Sequence, residues 1–201
     1  MSILLVRHGE TEQNAARVVQ VPSSPLSALG RAQAQRLAQR LAELGVVRIL
    51  ASDLPRAVET AAYASTATGV AVELEPLLRE RDFGDLRGTP YAALDFDPFA
   101  PGYVPPNGES LTVFHARVAL AWERVAQAAA ATAGKLLVVT HGLVCRALAE
   151  RQLRLAPGLS VPPQWANTSL SEVDAAPPWT VRLLNCTAHL AADVASRGAA
   201  V

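Results

Sequence analysis

Short apolar runs alternate with longer segments of helical periodicity along this chain, and that alternation limits the fold more than any other feature. The strand-like runs are Ile3–Val6, Val46–Ala51, Val70–Leu74, Leu136–Thr140, Asn167–Val173 and Thr180–Leu184. The helical segments are Ser27–Leu44, Pro55 towards Gly69, Ser110–Ala131 and His141–Leu153. Strands that alternate with helices build a parallel sheet that is covered on both faces. The sequence therefore predicts an α/β fold, a three-layer sandwich with a mainly parallel central sheet and helices on both faces.

Length and charge indicate one domain without a surface for polyanions. A chain of 201 residues can bury a substantial core, so we expect a single domain over 1–201, with an Ala-rich tail that frays after about residue 191. The 18 Lys and Arg balance 18 Asp and Glu, and Lys135 is the only lysine, so neither nucleic acid nor membrane is an expected partner. The two isolated cysteines, Cys145 and Cys186, and the lack of a leader-like or membrane-spanning run predict a reduced, cytoplasmic protein. A homodimer is compatible with all of this.

Three polar clusters follow predicted strands directly. They are Arg7-His8, Ser52–Arg56 and His141-Gly142. The carboxyl ends of parallel strands meet at one edge of an α/β sheet, where ligands bind. We therefore expect these clusters to converge on one site.

The cluster around His8 has the composition of a phosphoryl-transfer site. A neutral imidazole nitrogen is a competent nucleophile if its other nitrogen is held by a hydrogen-bond acceptor. Arg7 precedes it and brings a planar guanidinium that matches phosphate geometry, and Gly9 follows it and allows close approach of the backbone to a ligand. A histidine after a strand is by itself more often structural, so this cluster alone does not decide the function.

Six blocks, taken in order, extend this pattern over nearly the whole chain. They are Leu5-Val6-Arg7-His8-Gly9-Glu10-Thr11; Asn14, Ser24-Pro25-Leu26, Gly30 and Gln33-Ala34; Ser52-Asp53-Leu54, Arg56-Ala57 and Thr60-Ala61; Leu78, Glu80 and Gly84; Gly108-Glu109-Ser110; and Val139-Thr140-His141-Gly142. The ordered set resembles the histidine phosphatase (phosphoglycerate mutase-like) superfamily. Within its phosphatase branch, α-ribazole phosphatases and broad-specificity phosphatases look most similar.

The resemblance implies roles for individual residues. His8 would be the nucleophile that becomes phosphohistidine, and Arg7, Arg56 and His141 would surround the phosphate. Asn14 and the Gly142 amide would be additional donors to it. Phosphoryl transfer requires mainly that the protein position the reacting groups and stabilise the developing charge, and these residues can do both.

Glu80 resembles the family's proton donor to the leaving-group oxygen. Repulsion between its carboxylate and a bound phosphate should raise its pKa, as general acid catalysis requires. Glu109 is the rival for this role, so the choice between the two carboxylates stays open.

No metal or other cofactor is implied by the sequence. His8 and His141 lack the close helical spacing of zinc ligands, and no cluster of Cys or Asp accompanies them. The resemblance therefore implies a metal-independent phosphomonoesterase that acts on a small-molecule phosphate monoester.

Several departures from the family pattern bear on the substrate. Gln20 and Ser23 stand where relatives commonly have Gly and Asp, Arg87 where many phosphatases have Glu, and Phe83 where the mutases have a substrate-contacting tyrosine. Between Arg87 and Arg117 there is no Lys or Arg, whereas the mutases use basic residues in this region. A substrate loop is expected from Phe83, Phe96, Phe99, Tyr103 and Glu109. Burial of a second anionic group against such a wall is unfavourable, which predicts a monophosphate with a partly apolar leaving group.

Two other functions are carried as alternatives. One is a phosphoglycerate mutase, which the missing basic residues oppose. The other is a phosphate-binding regulatory module without turnover. Against it stands the presence of a complete set of catalytic residue types, which are Arg7, His8, Arg56, Glu80 and His141.

Overall fold

The computed structural model describes residues 1–190 and contains one seven-stranded sheet. The strands are β1 (Ser2–Arg7), β2 (Val46–Ala51), β3 (Val72–Leu74), β4 (Lys135–Thr140), β5 (Arg154–Leu155), β6 (Leu170–Asp174) and β7 (Thr180–Cys186). The α-helices are α1 (Glu12–Ala15), α2 (Ala28–Ala42), α3 (Pro55–Thr68), α4 (Leu111–Ala130) and α5 (Gly142–Arg151). Short 3₁₀ helices span Pro76–Leu78, Gly84–Leu86 and Tyr91–Ala93. The tail predicted to fray after about residue 191 lies outside the described residues.

The strand order is β3-β2-β4-β1-β6-β7-β5. Strands β3, β2, β4 and β1 are parallel, β6 is antiparallel to both of its neighbours, and β5 runs parallel to β7. The predicted α/β class with a mainly parallel sheet is thus confirmed. Arg7 pairs with Thr140 and Ala51 with Val139, so β1, β2 and β4 end at nearly the same level.

Both faces of the sheet are buried, as the continuous apolar runs indicate. Successive side chains of a strand point to opposite faces, so Ile3 and Leu5 join one core cluster while Leu4 and Val6 join the other. The first cluster includes Trp122 and other residues of α4 and α5, and the second includes residues of α2 and α3. Each large apolar side chain buried here contributes about 1.5–3 kcal/mol. The three layers follow from this pattern.

Element boundaries differ from the predictions at functional positions. Helix α3 starts at Pro55, as predicted, with Leu54 as its N-cap residue. Helix α5 ends at Arg151 because the chain enters β5 three residues later. Asn167 and Thr168 precede β6 instead of opening it, since Thr168 adopts a left-handed backbone with φ 54°. Residues 98–106 form neither helix nor strand. Within residues 1–190, no helix is long and apolar enough to cross a membrane.

Candidate active site

The three predicted polar clusters meet where β1, β2 and β4 end. The His8 amide donates to the Thr140 carbonyl at 2.9 Å, and the Ser52 amide donates to the Val139 carbonyl at 2.9 Å. These bonds continue the sheet pairing by one residue beyond the strands. They bring His8, Ser52 and His141 side by side, as the shared edge of the parallel strands predicts.

His8 is held in one tautomer. Its Nδ1 lies 2.6 Å from the Gly9 carbonyl oxygen, which can only accept, so Nδ1 carries the proton and Nε2 keeps its lone pair. The side chain is almost completely buried. Burial, followed by the charges of Arg56 and Arg7, holds the pKa of His8 well below its usual range. The lowered pKa favours the neutral ring, in which the lone pair of Nε2 is available to act as a base or a nucleophile.

The backbone after His8 is fixed by the neighbouring helices. The Gly9 amide donates to Thr60 Oγ1 at 3.0 Å, and the Glu10 amide donates to Gln33 Oε1 at 2.9 Å. Gly30 lets α2 approach, because a Cβ at that position would lie 2.0 Å from the Glu10 carbonyl oxygen. The loop that carries His8 is consequently held in one conformation, which a catalytic group would require.

Arg7 and Arg56 form a buried pair of like charges. Arg7 lies at the end of β1 and its Nη1 donates to the Trp165 carbonyl, while Arg56 lies in the first turn of α3. Among the described residues, Nε of Arg56 has no acceptor, and Nη1 reaches only the Val21 carbonyl at 3.5 Å. Burial is the main cause that lowers the Arg56 pKa to about 10, with Arg7 adding to it and Glu80 opposing it. Two buried guanidinium groups with this arrangement are suited to a polyvalent anion.

His141 faces His8 from the end of β4. The two ring centroids are 5.1 Å apart, and His141 Nε2 lies 2.8 Å from Ser52 Oγ. Burial and the charge of Arg56 hold the pKa of His141 well below its usual range. His141 is also the N-cap of α5, so the first amide of that helix belongs to Gly142. This end of the helix carries the positive side of its dipole, which favours an anion.

Asn14 joins the site through the short helix α1. Thr11 and Asn14 form a capping box, and Asn14 Oδ1 accepts from the Thr11 amide at 3.3 Å and from Asn167 Nδ2 at 3.4 Å. The amide nitrogen of Asn14 is then the polar atom left for the adjoining cavity. Asn167 was not predicted as a site residue, although its Nδ2 also donates to the His8 carbonyl at 3.0 Å.

Glu80 enters from the loop after the 3₁₀ turn Pro76–Leu78. Thr140 Oγ1 donates to the Leu78 carbonyl at 2.8 Å and fixes this loop to the end of β4. The carboxylate of Glu80 accepts from the Arg81 amide at 3.0 Å and the Leu143 amide at 3.1 Å. Burial raises the Glu80 pKa and outweighs these hydrogen bonds and the charges of Arg56 and Arg7. A raised pKa suits a proton donor.

The rival carboxylate of Glu109 has a different environment. Its two oxygens accept from Arg117 Nε at 2.9 Å and Nη2 at 2.8 Å. It faces a second cavity beside Ser110, and it does not line the one that contains Arg7 and Arg56. The geometry therefore favours Glu80 over Glu109 as the proton donor.

A cavity of about 250 Å³ opens beside Arg7, Arg56 and Glu80. Its wall consists of Arg7, Gln13, Asn14, Arg17, Val18, Gln20, Pro22, Leu54, Arg56, Arg79, Glu80, Arg81, Asp82, Phe83, Arg87, Tyr91, Phe99 and Leu143. His8, His141 and Gly142 are buried and stand outside this wall. The cavity thus brings four of the predicted residues, Arg7, Asn14, Arg56 and Glu80, to one surface, with the histidines buried nearby.

The predicted substrate loop is only partly present in this cavity. Phe83 and Phe99 belong to its wall, and their rings make an edge contact with centroids 5.7 Å apart. Phe96 and Tyr103 do not belong to it, because they stack on each other at 4.8 Å instead. Arg81 holds this segment in place through the carbonyls of Pro98 and Tyr103. The prediction that Phe96, Tyr103 and Glu109 belong to a substrate loop is corrected here, because all three lie outside the wall of this cavity.

No Lys or Arg lies between Arg87 and Arg117, but arginines from other segments line the cavity. Arg17, Arg79, Arg81 and Arg87 all reach its wall from other segments. Sequence reasoning did not identify Arg17 or Arg79 as wall residues. The pairing of residues 17–19 with 88–91 brings Arg17 and Tyr91 together, and no local pattern encodes that contact.

No three His, Cys, Asp or Glu side chains cluster as metal ligands within residues 1–190. The groups gathered at the edge of the sheet are guanidinium, imidazole, amide and one carboxylate. A family model described as the histidine phosphatase superfamily (branch 1) matches residues 3–187. The chain belongs to the histidine phosphatase superfamily.

Related proteins carry both phosphatase and mutase names. The chain is 34% identical over 206 residues to "Probable phosphoglycerate mutase GpmB" of Yersinia enterocolitica, with 94% of this chain and 95% of the relative covered. A candidate alpha-ribazole-5′-P phosphatase from Escherichia coli K-12 superposes with a TM-score of 0.76 at 27% identity, covering 94% and 97% of the two chains. A mycobacterial glucosyl-3-phosphoglycerate phosphatase in complex with VO3 has a TM-score of 0.76 at 26% identity, covering 91% and 97%. Family and neighbours together assign this histidine phosphatase to the phosphoric monoester hydrolases.

Proposed function

We propose that this histidine phosphatase is a metal-independent phosphomonoesterase that acts through phosphohistidine at His8 on a small phosphorylated metabolite. The observation that carries the proposal is the Nδ1 contact with the Gly9 carbonyl, because it leaves Nε2 as the nucleophilic atom. The two phosphatase neighbours name α-ribazole-5′-P and glucosyl-3-phosphoglycerate, and both are phosphate monoesters of small molecules.

The reaction has two transfers. In the first, His8 Nε2 forms a bond to phosphorus, the bond from phosphorus to the ester oxygen breaks, and protonated Glu80 gives its proton to that oxygen. In the second, water attacks phosphorus, the Glu80 carboxylate takes a proton from the water, and the P–N bond breaks to release phosphate. One residue serves as acid and then as base, so the enzyme returns to its starting state.

The remaining groups stabilise charge. Arg7 and Arg56 balance the negative oxygens of the transferring phosphoryl group, and the His141 ring, the Asn14 amide and the Gly142 amide complete its surroundings. These donors are held before the substrate arrives, so little reorganisation is needed during the reaction.

A mutase is the second candidate, because the Yersinia relative is named as one and the cavity wall contains arginines beyond the phosphate pair. The two functions differ in the acceptor of the phosphoryl group, which is water for a hydrolase and a sugar-acid hydroxyl for a mutase. Incubation with 3-phosphoglycerate separates them, because a hydrolase that accepts it releases phosphate and a mutase yields 2-phosphoglycerate. A non-catalytic module is identified by the lack of turnover of p-nitrophenyl phosphate as well.

The metal-independent route predicts how turnover responds to two additives. Release of p-nitrophenol from p-nitrophenyl phosphate should be unchanged after dialysis against a chelator, because guanidinium and imidazole groups supply the charge. Vanadate should inhibit competitively, since it adopts the five-coordinate geometry of the transferring phosphorus. Loss of activity in chelator with recovery on addition of a divalent ion would contradict the proposal.

The assignment of Glu80 predicts a pH profile. Protonated Glu80 is the acid, so kcat/KM should fall as pH rises through its raised pKa; neutral His8 is the nucleophile, so kcat/KM should fall in acid only below its lowered pKa. We expect an acidic optimum. In Glu80→Gln the fall on the alkaline side should disappear, and turnover of glycerol 3-phosphate should drop about 10²–10⁴-fold.

Two comparisons serve as controls for this experiment. The activated ester p-nitrophenyl phosphate needs less protonation, so Glu80→Gln should lose less with it than with the alkyl ester. Wild type and variant are compared with the same substrate, so the ionisation of the substrate affects both pH profiles equally. If Glu109→Gln loses more turnover than Glu80→Gln, the proton donor is Glu109.

A further inference from the structure

The outer part of the cavity wall carries more positive charge than phosphoryl transfer uses. Six arginines line the cavity against two acidic side chains, Glu80 and Asp82. Arg7 and Arg56 are sufficient to neutralise a phosphate dianion. The other four arginines are therefore candidates to bind the rest of the substrate.

Three of these four arginines have partners within the protein. Arg79 makes a two-pronged contact with Asp53, and Arg87 pairs with Asp82. Arg81 donates to three backbone carbonyls, including those of Pro98 and Tyr103, at 3.0–3.1 Å. These side chains are committed to holding the wall in shape.

Arg17 differs from the other three. No acceptor for its guanidinium group exists among residues 1–190, and the residue is exposed at the cavity. A charged group that the protein leaves without a partner beside a ligand cavity is available to the ligand.

The backbone of Arg17 is nevertheless fixed. Its amide donates to the Asn14 carbonyl at 3.1 Å, and its carbonyl accepts from the Tyr91 amide at 3.0 Å. The pairing continues on the other side, where the Val19 amide donates to the Thr89 carbonyl at 2.9 Å. Arg17 adopts φ 54°, a left-handed conformation that is unfavourable for a residue with a Cβ. Such conformations persist where the surroundings enforce them, and they are frequent at ligand sites.

Tyr91 lies in the same wall, next to Arg17 in this paired segment. Burial and the charge of Glu80 raise the pKa of Tyr91 to about 12, while Arg7 and Arg17 act in the opposite direction. Its hydroxyl therefore stays protonated and can donate a hydrogen bond. Tyr91 and Arg17 line the same cavity as Arg7 and Glu80.

We propose that Arg17, together with Tyr91 of the same cavity wall, binds a second acidic group on the leaving-group portion of the substrate. The preferred substrate is then a phosphate monoester that also carries a carboxylate or a second phosphate. This inference rests on the proposed phosphatase function and adds a substrate class to it. It replaces the expectation of an uncharged apolar leaving group, because the cation comes from residue 17 and not from the segment between Arg87 and Arg117.

The test uses substrates that differ only in the second charge. 3-Phosphoglycerate and glycerol 3-phosphate share a carbon skeleton but differ in one carboxylate, and fructose 1,6-bisphosphate and fructose 6-phosphate differ in one phosphate. The measured quantity is kcat/KM for consumption of each compound, because it reports binding in the transition state from free enzyme. The wild type should prefer the more acidic member of at least one pair, and the pair concerned identifies the carboxylate or the phosphate as the second group.

Arg17→Gln should remove that preference. A hydrogen bond to a charged group contributes enough that we expect a roughly 10-fold loss with the acidic member. The member that lacks the second acidic group should be unaffected, since it has no group for Arg17 to bind. Tyr91→Phe should lower the same preference to a smaller extent. Arg124→Gln is the matched control, because it removes one exposed arginine charge on α4 outside both cavities.

The outcomes separate this inference from the proposed function. A wild type that turns over both members of each pair equally overturns the second-anion site but leaves the phosphatase assignment intact. Equal losses on both members in Arg17→Gln would also overturn it, since they indicate a general effect on the site. A wild type without turnover of any phosphate monoester would instead overturn the proposed function.

Discussion

Replacement of His8 with alanine should reduce turnover of phosphate monoesters by about 10⁴-fold or more, a loss of the size seen when a catalytic nucleophile is removed. The site holds Nε2 of a neutral ring at the end of β1, with Nδ1 fixed by the Gly9 carbonyl. Water that enters the space left by the ring has no group to orient it in line with the leaving oxygen. The measurement is steady-state release of p-nitrophenol and of inorganic phosphate.

A trapping experiment identifies the intermediate independently of the rate. Wild-type protein mixed briefly with a ³²P-labelled substrate and quenched should carry label that is labile in acid and stable in base, as a phosphorus–nitrogen bond is. His8→Ala should carry none. His115→Ala is a matched control, because this histidine lies on α4 and is absent from the cavity wall. Label on a serine or an aspartate would refute the assignment of His8.

Replacement of Arg56 with methionine should separate activity from stability. Removal of one preorganised donor to a developing negative charge costs about 10²–10³-fold in rate. The same substitution removes a buried cation that lies near Arg7 and has no acceptor for its Nε among the described residues. Methionine keeps much of the volume of the arginine side chain without its charge. In the absence of ligand, the free energy of unfolding should therefore stay the same or rise by about 1 kcal/mol.

Thermal unfolding with and without vanadate checks this prediction. A ligand that binds only the folded state raises Tm more when it binds more tightly, so vanadate should raise the Tm of wild type far more than that of Arg56→Met. Arg56→Lys keeps the charge but not the planar fork, and we expect it to recover only part of the rate. An Arg56→Met protein that is markedly less stable than wild type without ligand would show that Arg56 is a structural residue.

At this edge of the sheet, buried groups that suit the function are unfavourable for the stability of the protein without ligand. Arg7, Arg56, His8 and His141 are all buried within one small volume, and burial lowers the pKa of each. For the histidines this keeps the neutral form that the chemistry needs. For the arginines it means that a bound anion removes an unfavourable arrangement of charges, which favours tight binding of phosphate.

The sequence by itself determined the architecture and the centre of the site. Apolar runs and helical segments have periods that can be read locally, and parallel strands must end at a common edge. His8, Ser52 and His141 follow three such strands, so their convergence was predictable from strand ends alone. The ordered motifs added Arg56 and Glu80, which lie on the segments that enter this edge next.

Only the tertiary structure decided the contacts between loops. The choice between the two carboxylates depends on Arg117, which takes both oxygens of Glu109 and leaves Glu80 beside the cavity. The aromatic residues Phe96 and Tyr103 pair with each other outside it, although their composition suited a substrate wall. Arg17 and Tyr91 are more than 70 residues apart and meet because two irregular segments exchange backbone hydrogen bonds. Such contacts carry no periodic signal, because they depend on how distant parts of the chain pack once the sheet has formed.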